Sequence, residues 1–456
     1  MKYNGQRAED VKIAYIGGGS RGWAWNLMSD LAVEETLSGT VTLYDIDHEA
    51  AQKNEVIGNR IPGGKFTYRA VDTIGEALRG ADFIVISILP GTFDEMESDV
   101  HCGEKYGIYQ SVGDTVGIGG YFRALRTIPM FVEIAEAIKR YAPEAWVINY
   151  TNPMTVCVRT LYSVFPEIKA FGCCHEVFGT QKLLAQMLKE YTGAAPENHK
   201  EIQVNVKGIN HFTWLDSAYY KDTDLFPLYR SLVEDYGESG YGATDRSWMN
   251  QFFICHHKVK FDLFRRFGCI AAAGDRHLAE FCPRGWYLKD PAMVEQWGFA
   301  LTPVSYRKGK LTELLAKSEQ MACGEQEFTI NPSGEEGVRQ MKALLGLGDL
   351  MTNVNLPNVG QIPNLPLGAV VETNAAFTAG GVRPVMAGPL PDGVARLTAP
   401  ISYLQEQTVE AGLRRDKDFA FFVFLQEPSI SDLSQGDARR LFDEMFDNTK
   451  KYLWED

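Results

Sequence analysis

Apolar positions along the chain fall into two textures. Through the first half, short runs rich in Val, Ile and Phe ("VKIAYIGGG", "TVTLYDID", "KFTYRAV", "ADFIVISILP", "EAWVINYTNP", "EIKAFGCCHE") are separated by helical patterns such as "IPMFVEIAEAIKRYA". A continuous apolar run marks a strand covered on both faces, and its alternation with helices predicts a parallel sheet. Further on, "EIQVNVKGINHFTWLDSAYY" alternates apolar and polar residues as paired strands do, and long mixed segments follow. The pattern predicts an α/β chain: a Rossmann-like, doubly wound parallel sheet over residues 1–195 and a mixed α+β domain over 196–456. No repeat or long linker intervenes, so the two should share one extensive interface.

The first strand, turn and helix, "VKIAYIGGGSRGWAWNLMSDLA", hold Gly17, Gly19 and Gly22 in G-x-G-x-x-G spacing. Such glycines permit the turn, let backbone approach a pyrophosphate and let helix pack on strand. The second strand ends at Asp45, where a carboxylate can accept hydrogen bonds from the two ribose hydroxyls. Gly17, Gly19, Ser20, Gly22 and Asp45 are the expected dinucleotide site, and Asp45 favours NAD over NADP, whose 2′-phosphate it would repel. A glycine-rich turn with Asp45 merely capping a strand is the bland alternative.

Composition narrows the partners. The 456 residues exceed what one core usually organises, and a net charge of -14 disfavours a nucleic-acid backbone. No unbroken apolar run approaches the roughly 20 residues of a membrane span. The start "MKYNGQRAED" has no signal-peptide pattern, which gives the expectation of a cytoplasmic protein whose eight cysteines are thiols. A small-molecule substrate is expected, with neither nucleic acid nor membrane as partner.

The stretch "KAFGCCHEVFGT" sets Cys173, Cys174, His175 and Glu176 side by side at the carboxyl end of a predicted strand. Ligands of open α/β sheets bind beyond those ends, so the cluster reads as core filler, thiol nucleophile or half of a metal site. Neighbours on a strand face opposite ways, which sends Cys173 to the core if Cys174 faces the crevice. His211 in "GINHFTW" reads by itself as a satisfied buried histidine, while "HH" at 256–257 and "RRFGC" at 265–269 read as solvated basic faces. These residues leave open a 2-hydroxy-acid dehydrogenase, a sugar-nucleotide dehydrogenase and a non-catalytic NAD-sensing module.

Taken in order, "YIGGGS", "VINYTNPM", "CCHEVFG", "GINHFTW" and "NLPNVGQIPNLPLGAVVE" resemble the signatures of glycoside hydrolase family four. The resemblance implies a lactate/malate dehydrogenase-like nucleotide domain, NAD, and a divalent cation, usually manganese, bound by Cys174 and His211. It further implies oxidation at sugar carbon 3, proton removal at carbon 2, elimination of the aglycone, water addition and return of the hydride.

Asn152 matches the family's hydroxyl-binding asparagine and His175 its proton donor. Phosphosugar branches use a tyrosine base, but "AAAGDRHLAEF" holds none, so Asp275 is the candidate base, with Asp114 as a carboxylate that raises its basicity. An ion pair of Asp275 with Arg276 is the bland reading. Those branches also hold the phosphate with an arginine absent from "ILPGTFDEMESD". The "CHEV" form with "AGDRH" downstream resembles the branch containing α-galacturonidases and close to α-glucosidases, with Arg276 and His277 facing a uronate carboxylate. The expectation is an α-galacturonidase, with α-glucosidase, α-glucuronidase or α-galactosidase as alternatives, assembled as a homodimer or homotetramer.

Overall fold

The structure, a computed structural model, describes residues 1–3, 5–242 and 251–454. Six parallel strands, β1 (Ala8–Ile16), β2 (Leu37–Tyr44), β3 (Phe66–Ala70), β4 (Phe83–Ile86), β5 (Trp146–Asn149) and β6 (Lys169–Gly172), lie in the order β3-β2-β1-β4-β5-β6. This is the doubly wound dinucleotide-binding arrangement, whose order reverses between β1 and β4. Both faces are covered. Ile13, Tyr15, Phe83 and Val85 pack into one core, and Ala14, Ile16, Ile84 and Ile86 into another on the opposite face.

The later half of the chain extends this sheet. Strands β7 (Gln203–Ile209), β8 (Phe212–Tyr220), β9 (Leu350–Pro357) and β10 (Val370–Thr378) run antiparallel in the order β8-β7-β10-β9. They join β6 through β9 at the register pair Asn355 and Gly172, so one sheet spans both halves.

Helices α1 (Trp23–Val33), α2 (Gly117–Tyr141), α3 (Met154–Val164), α4 (Glu176–Thr192), α5 (Asp275–Phe281) and α6 (Asp392–Arg414) position the groups discussed below. Helix α2 begins well before the stretch whose periodicity reads as helical, at "GIGG". Glycine is weak there by propensity, yet a Cβ on Gly120 would lie 2.4 Å from the Thr115 carbonyl carbon, so close packing selects the residue. No described helix is long and apolar enough to cross a membrane.

Candidate active site

The β1 turn enters the switch point as its glycines require. Gly17 has φ +93°, and a Cβ there would sit 2.0 Å from the Ser87 carbonyl oxygen at the end of β4. A Cβ on Gly19 would lie 2.9 Å from Asp45 Oδ2, the atom that accepts the Gly19 N–H at 2.8 Å. Asp45 also accepts from Asp47 N at 2.9 Å, and burial raises its pKa. Ser20 Oγ caps α1 by accepting from Trp23 N at 3.1 Å. Gly22 differs, because a Cβ there would meet nothing within 4 Å. Sequence reasoning missed Asn54, whose buried amide donates to Gly18 O at 2.8 Å and Ser20 O at 3.0 Å and locks the turn.

Across the crevice, β7 and β8 are joined by the two-residue turn Asn210–His211, between the paired residues Ile209 and Phe212. His211 has φ +64°, a left-handed conformation that costs a non-glycine residue about 1 kcal/mol or more and is concentrated at functional sites. Its Nδ1 lies 2.9 Å from Thr115 Oγ1, whose hydroxyl donates to Asp114 Oδ1 at 2.7 Å. The His277 ring stands 3.9 Å from the His211 ring. One ligand atom each from Asp114, His211 and His277 falls within 4.8 Å of the others.

Burial and then the neighbouring imidazole push His211 down to about 3, so it is neutral, the form that binds a metal. Burial opposes charge on Asp114, but Arg123 and the two imidazoles outweigh it and hold the carboxyl well below the usual range.

Cys174 connects to this centre through Asn210, the neighbour of His211 in the turn. It is buried beside Met154, Val158 and Val370, on the opposite side of β6 from Cys173, which lies in the core with its thiol 3.0 Å from Gln340 Oε1. The Asn210 side chain hydrogen-bonds the Cys174 thiol, and Asn353 donates to the Cys174 carbonyl at 3.1 Å. Asn353 and Asn210 both donate to Glu372, at 2.7 and 3.3 Å; burial raises that carboxyl to about 7. Glu176 links the parts, accepting from Gly274 N at 2.7 Å with His277 Nε2 at 3.8 Å. Burial works against its charge, but His277, His211 and His175 bring it to about 2. Thr115, Asn210, Glu372 and Asn353 were not singled out from sequence, and Glu176 was named only as a member of the cluster at 173–176, with no role of its own. Only Glu176 and Asn210 carried a local signal, as neighbours of predicted ligands.

The remaining predicted residues divide. Asn152 follows β5, and its backbone carbonyl accepts from Arg123 Nε at 2.9 Å. His175 precedes α4, half exposed, with Nδ1 2.9 Å from Glu335, which raises its pKa. Arg276 donates to Ser111 O at 2.6 Å and to Thr302, over the Phe253 ring. Asp275 lies apart from His211 and His277. Its carboxylate accepts from Val259 N at 3.4 Å and Lys260 N at 3.2 Å, and it clusters with Cys255 and His257 instead. Burial raises it to about 6. The anticipated pairing of Asp275 with Arg276 is not formed. Of the two basic clusters, Arg265 and Arg266 form surface pairs with Glu238 and Asp262, whereas His257 is half-buried in the Asp275 cluster.

A dinucleotide turn and a cluster of imidazole, thiol and carboxylate groups thus belong to one continuous sheet. The profile of the family 4 glycosyl hydrolases matches residues 12–190, and that of the family's C-terminal domain matches residues 206–430; the chain belongs to this family. It is 60% identical to an α-galacturonidase of Thermoanaerobacterium saccharolyticum, over 99% of this chain and 98% of that one. The crystal structure of Bacillus subtilis LplD superposes with a TM-score of 0.93 at 55% identity, covering 96% of this chain and 100% of that one. A 6-phospho-α-glucosidase from gut microorganisms, solved with NAD and Mn2+, shares the fold with a TM-score of 0.78 at 20% identity, covering 99% of this chain and 100% of that one.

Proposed function

We propose that this glycosyl hydrolase is an α-galacturonidase working with NAD and a divalent cation, manganese being the expected ion. The observation that carries the reading is the convergence of Asp114, His211 and His277, with Cys174 tied to Asn210 beside His211, in a chain 60% identical to an α-galacturonidase. The residues present fit both groups. Gly17 and Gly19 leave no room for a Cβ, and Asp45 stands at the end of β2, where a ribose is held. Burial pushes the Cys174 thiol up, but a bound cation would deprotonate it, and neutral imidazole with thiolate and carboxylate is a donor set for a borderline-soft cation. Buried Asn152 Oδ1, Asn210 Oδ1, His277 Nδ1 and Arg276 Nε lack hydrogen-bond partners among the described residues, as expected of atoms awaiting a polar ligand.

When bound, NAD takes up and returns a hydride while the cation stabilises negative charge on a substrate oxygen. Cys174 and His211 would hold the cation, and Asp114 and His277 share the cluster with His211. The Asn152 side-chain oxygen accepts from a sugar hydroxyl. His175, whose pKa the neighbouring Glu335 raises, gives its proton to the departing oxygen. Asp275, with a pKa near 6, is assigned to remove the carbon 2 proton, and Arg276 with His277 faces the uronate carboxylate.

Free thiols at all eight cysteines accord with work in the cytoplasm. Exposed Val359, Leu367 and Met386 suit a homodimer or homotetramer. The divide between a nucleotide domain, 1–195, and a second domain, 196–456, follows the change from parallel to antiparallel pairing.

A panel of nitrophenyl glycosides and uronides, assayed with NAD, manganese and thiol reductant, tests the reading. The α-galacturonide should be cleaved preferentially, and in heavy water the released acid should carry deuterium at carbon 2. Cleavage of phosphorylated glycosides alone, or product without that deuterium, would overturn it.

A further inference from the structure

A second cavity, of about 470 Å³, lies behind the segment that carries Asp114 and Thr115. It opens between α2, α6 and the segments 279–288 and 427–432, and none of Cys174, His211, His277 or Asn152 lines it. Its walls combine apolar surface from Val156, Leu288 and Ile401 with the aromatic side chains of Tyr109 and Tyr121.

Two polar side chains in its lining have atoms without hydrogen-bond partners among the described residues. Gln405, on α6 and 6% exposed, has neither its amide nitrogen nor its amide oxygen hydrogen-bonded among the described residues. Glu280 Oε2 is likewise buried without a partner, while the Ser429 hydroxyl hydrogen-bonds the Glu427 carboxyl. A buried amide with both ends unmade costs desolvation that a ligand offering a donor and an acceptor recovers.

We propose that this cavity is a binding site for a neutral sugar of monosaccharide size. The volume suits such a ring, apolar and aromatic walls suit its C–H faces, and Gln405, Ser429 and Glu280 supply convergent polar groups for its hydroxyls. Of the three carboxyls of the lining, Glu280 and Glu427 are pushed up to about 7 by burial and Asp432 is paired with Arg284 at 2.8 Å, which weakens the negative field a neutral ligand would meet. The site also has a route to the catalytic centre. Glu280 Oε1 accepts from Val112 N at 2.7 Å and Gly113 N at 2.9 Å, immediately before Asp114. Thr115, which contacts His211 Nδ1, is part of the cavity wall. Occupancy therefore stiffens the segment that positions His211.

The test is direct binding of D-galactose and D-xylose to the holoenzyme with NAD and manganese, read by saturation-transfer NMR and calorimetry. Gln405→Leu should weaken binding at least tenfold with unchanged basal turnover. It should also raise the melting temperature of the sugar-free protein, because it removes two unmade hydrogen-bonding atoms. Ile401→Trp, which fills the cavity from another wall, should abolish binding, and His211→Ala should retain it. Hydrogen exchange at Val112 and Gly113 should slow when sugar is bound. Failure of both sugars to bind at tens of millimolar, equal binding by Gln405→Leu and wild type, or loss of binding in His211→Ala would each overturn the proposal. Because binding is read directly, these outcomes do not depend on which glycoside the enzyme cleaves.

Discussion

Two trios of metal-type side chains stand among the described residues, Asp114 with His211 and His277, and Cys255 with His257 and Asp275. By residue type and spacing they are alike; their surroundings separate them. The first is bordered by Cys174, Glu176 and buried polar atoms without partners, so its bonding capacity is turned toward a space a ligand can occupy. In the second, backbone N–H groups of the helix that starts at Lys258 already engage the Asp275 carboxylate. A cluster of ligand atoms becomes a candidate metal site when its neighbours leave it unsatisfied, and a poor one when they complete it.

The largest effects should come from substitutions that break this contrast. Cys174→Ser and His211→Ala should each abolish turnover and weaken manganese binding, with NAD affinity nearly intact, whereas Cys255→Ser should leave manganese binding unchanged. Manganese titration by electron paramagnetic resonance, alongside NAD fluorescence, checks both halves. Asp275→Asn, in the second trio but assigned to proton removal, should lose most activity and slow carbon 2 exchange while still binding NAD and manganese. Full activity with stability lower by about 1 kcal/mol would make it a helix cap only.

Glu427 belongs to neither trio and serves as a control for burial alone. Its folded pKa, about 7 against 4.5 for an ordinary glutamate, lies above the unfolded value, so its destabilising contribution grows as pH rises from about 4.5 to 7 and is complete above that. Glu427→Gln should thus raise thermal stability at pH ~8, by ~3 kcal/mol at most, and hardly change it at pH ~5. Asp45→Ala should cost about 1–2 kcal/mol of NAD affinity and relax discrimination against NADP, measured by titration with each nucleotide. The smallest effect belongs to Cys173→Ser, which should stay mild in both activity and melting temperature.

The parallel half was readable because its strands are short apolar runs separated by helical patterns. Helix α2 was read short, since nothing in "GIGG" announces a helix until the close approach to Thr115 is known. At the site, the ordered signatures pointed to Cys174 and His211. The supporting carboxylates and amides arrive from distant parts of the chain, and one sequence does not report which distant residues converge. Asp275 and His277 illustrate the opposite difficulty. They are two apart, but residues so spaced on a helix face different ways, and they lie in different trios.

The tip of the β7–β8 hairpin has a consequence for how such a centre can diverge. His211 occupies a turn of two residues, and a Cβ on Gly208 just before it would meet the Phe212 carbonyl oxygen at 2.3 Å. One added residue would carry the imidazole away from Thr115 or reverse the facing of the strand beyond it. Descendants of this chain can exchange the side chain at the tip, but its length is closed to them, so new cation preferences must evolve by substitution around a loop that cannot grow.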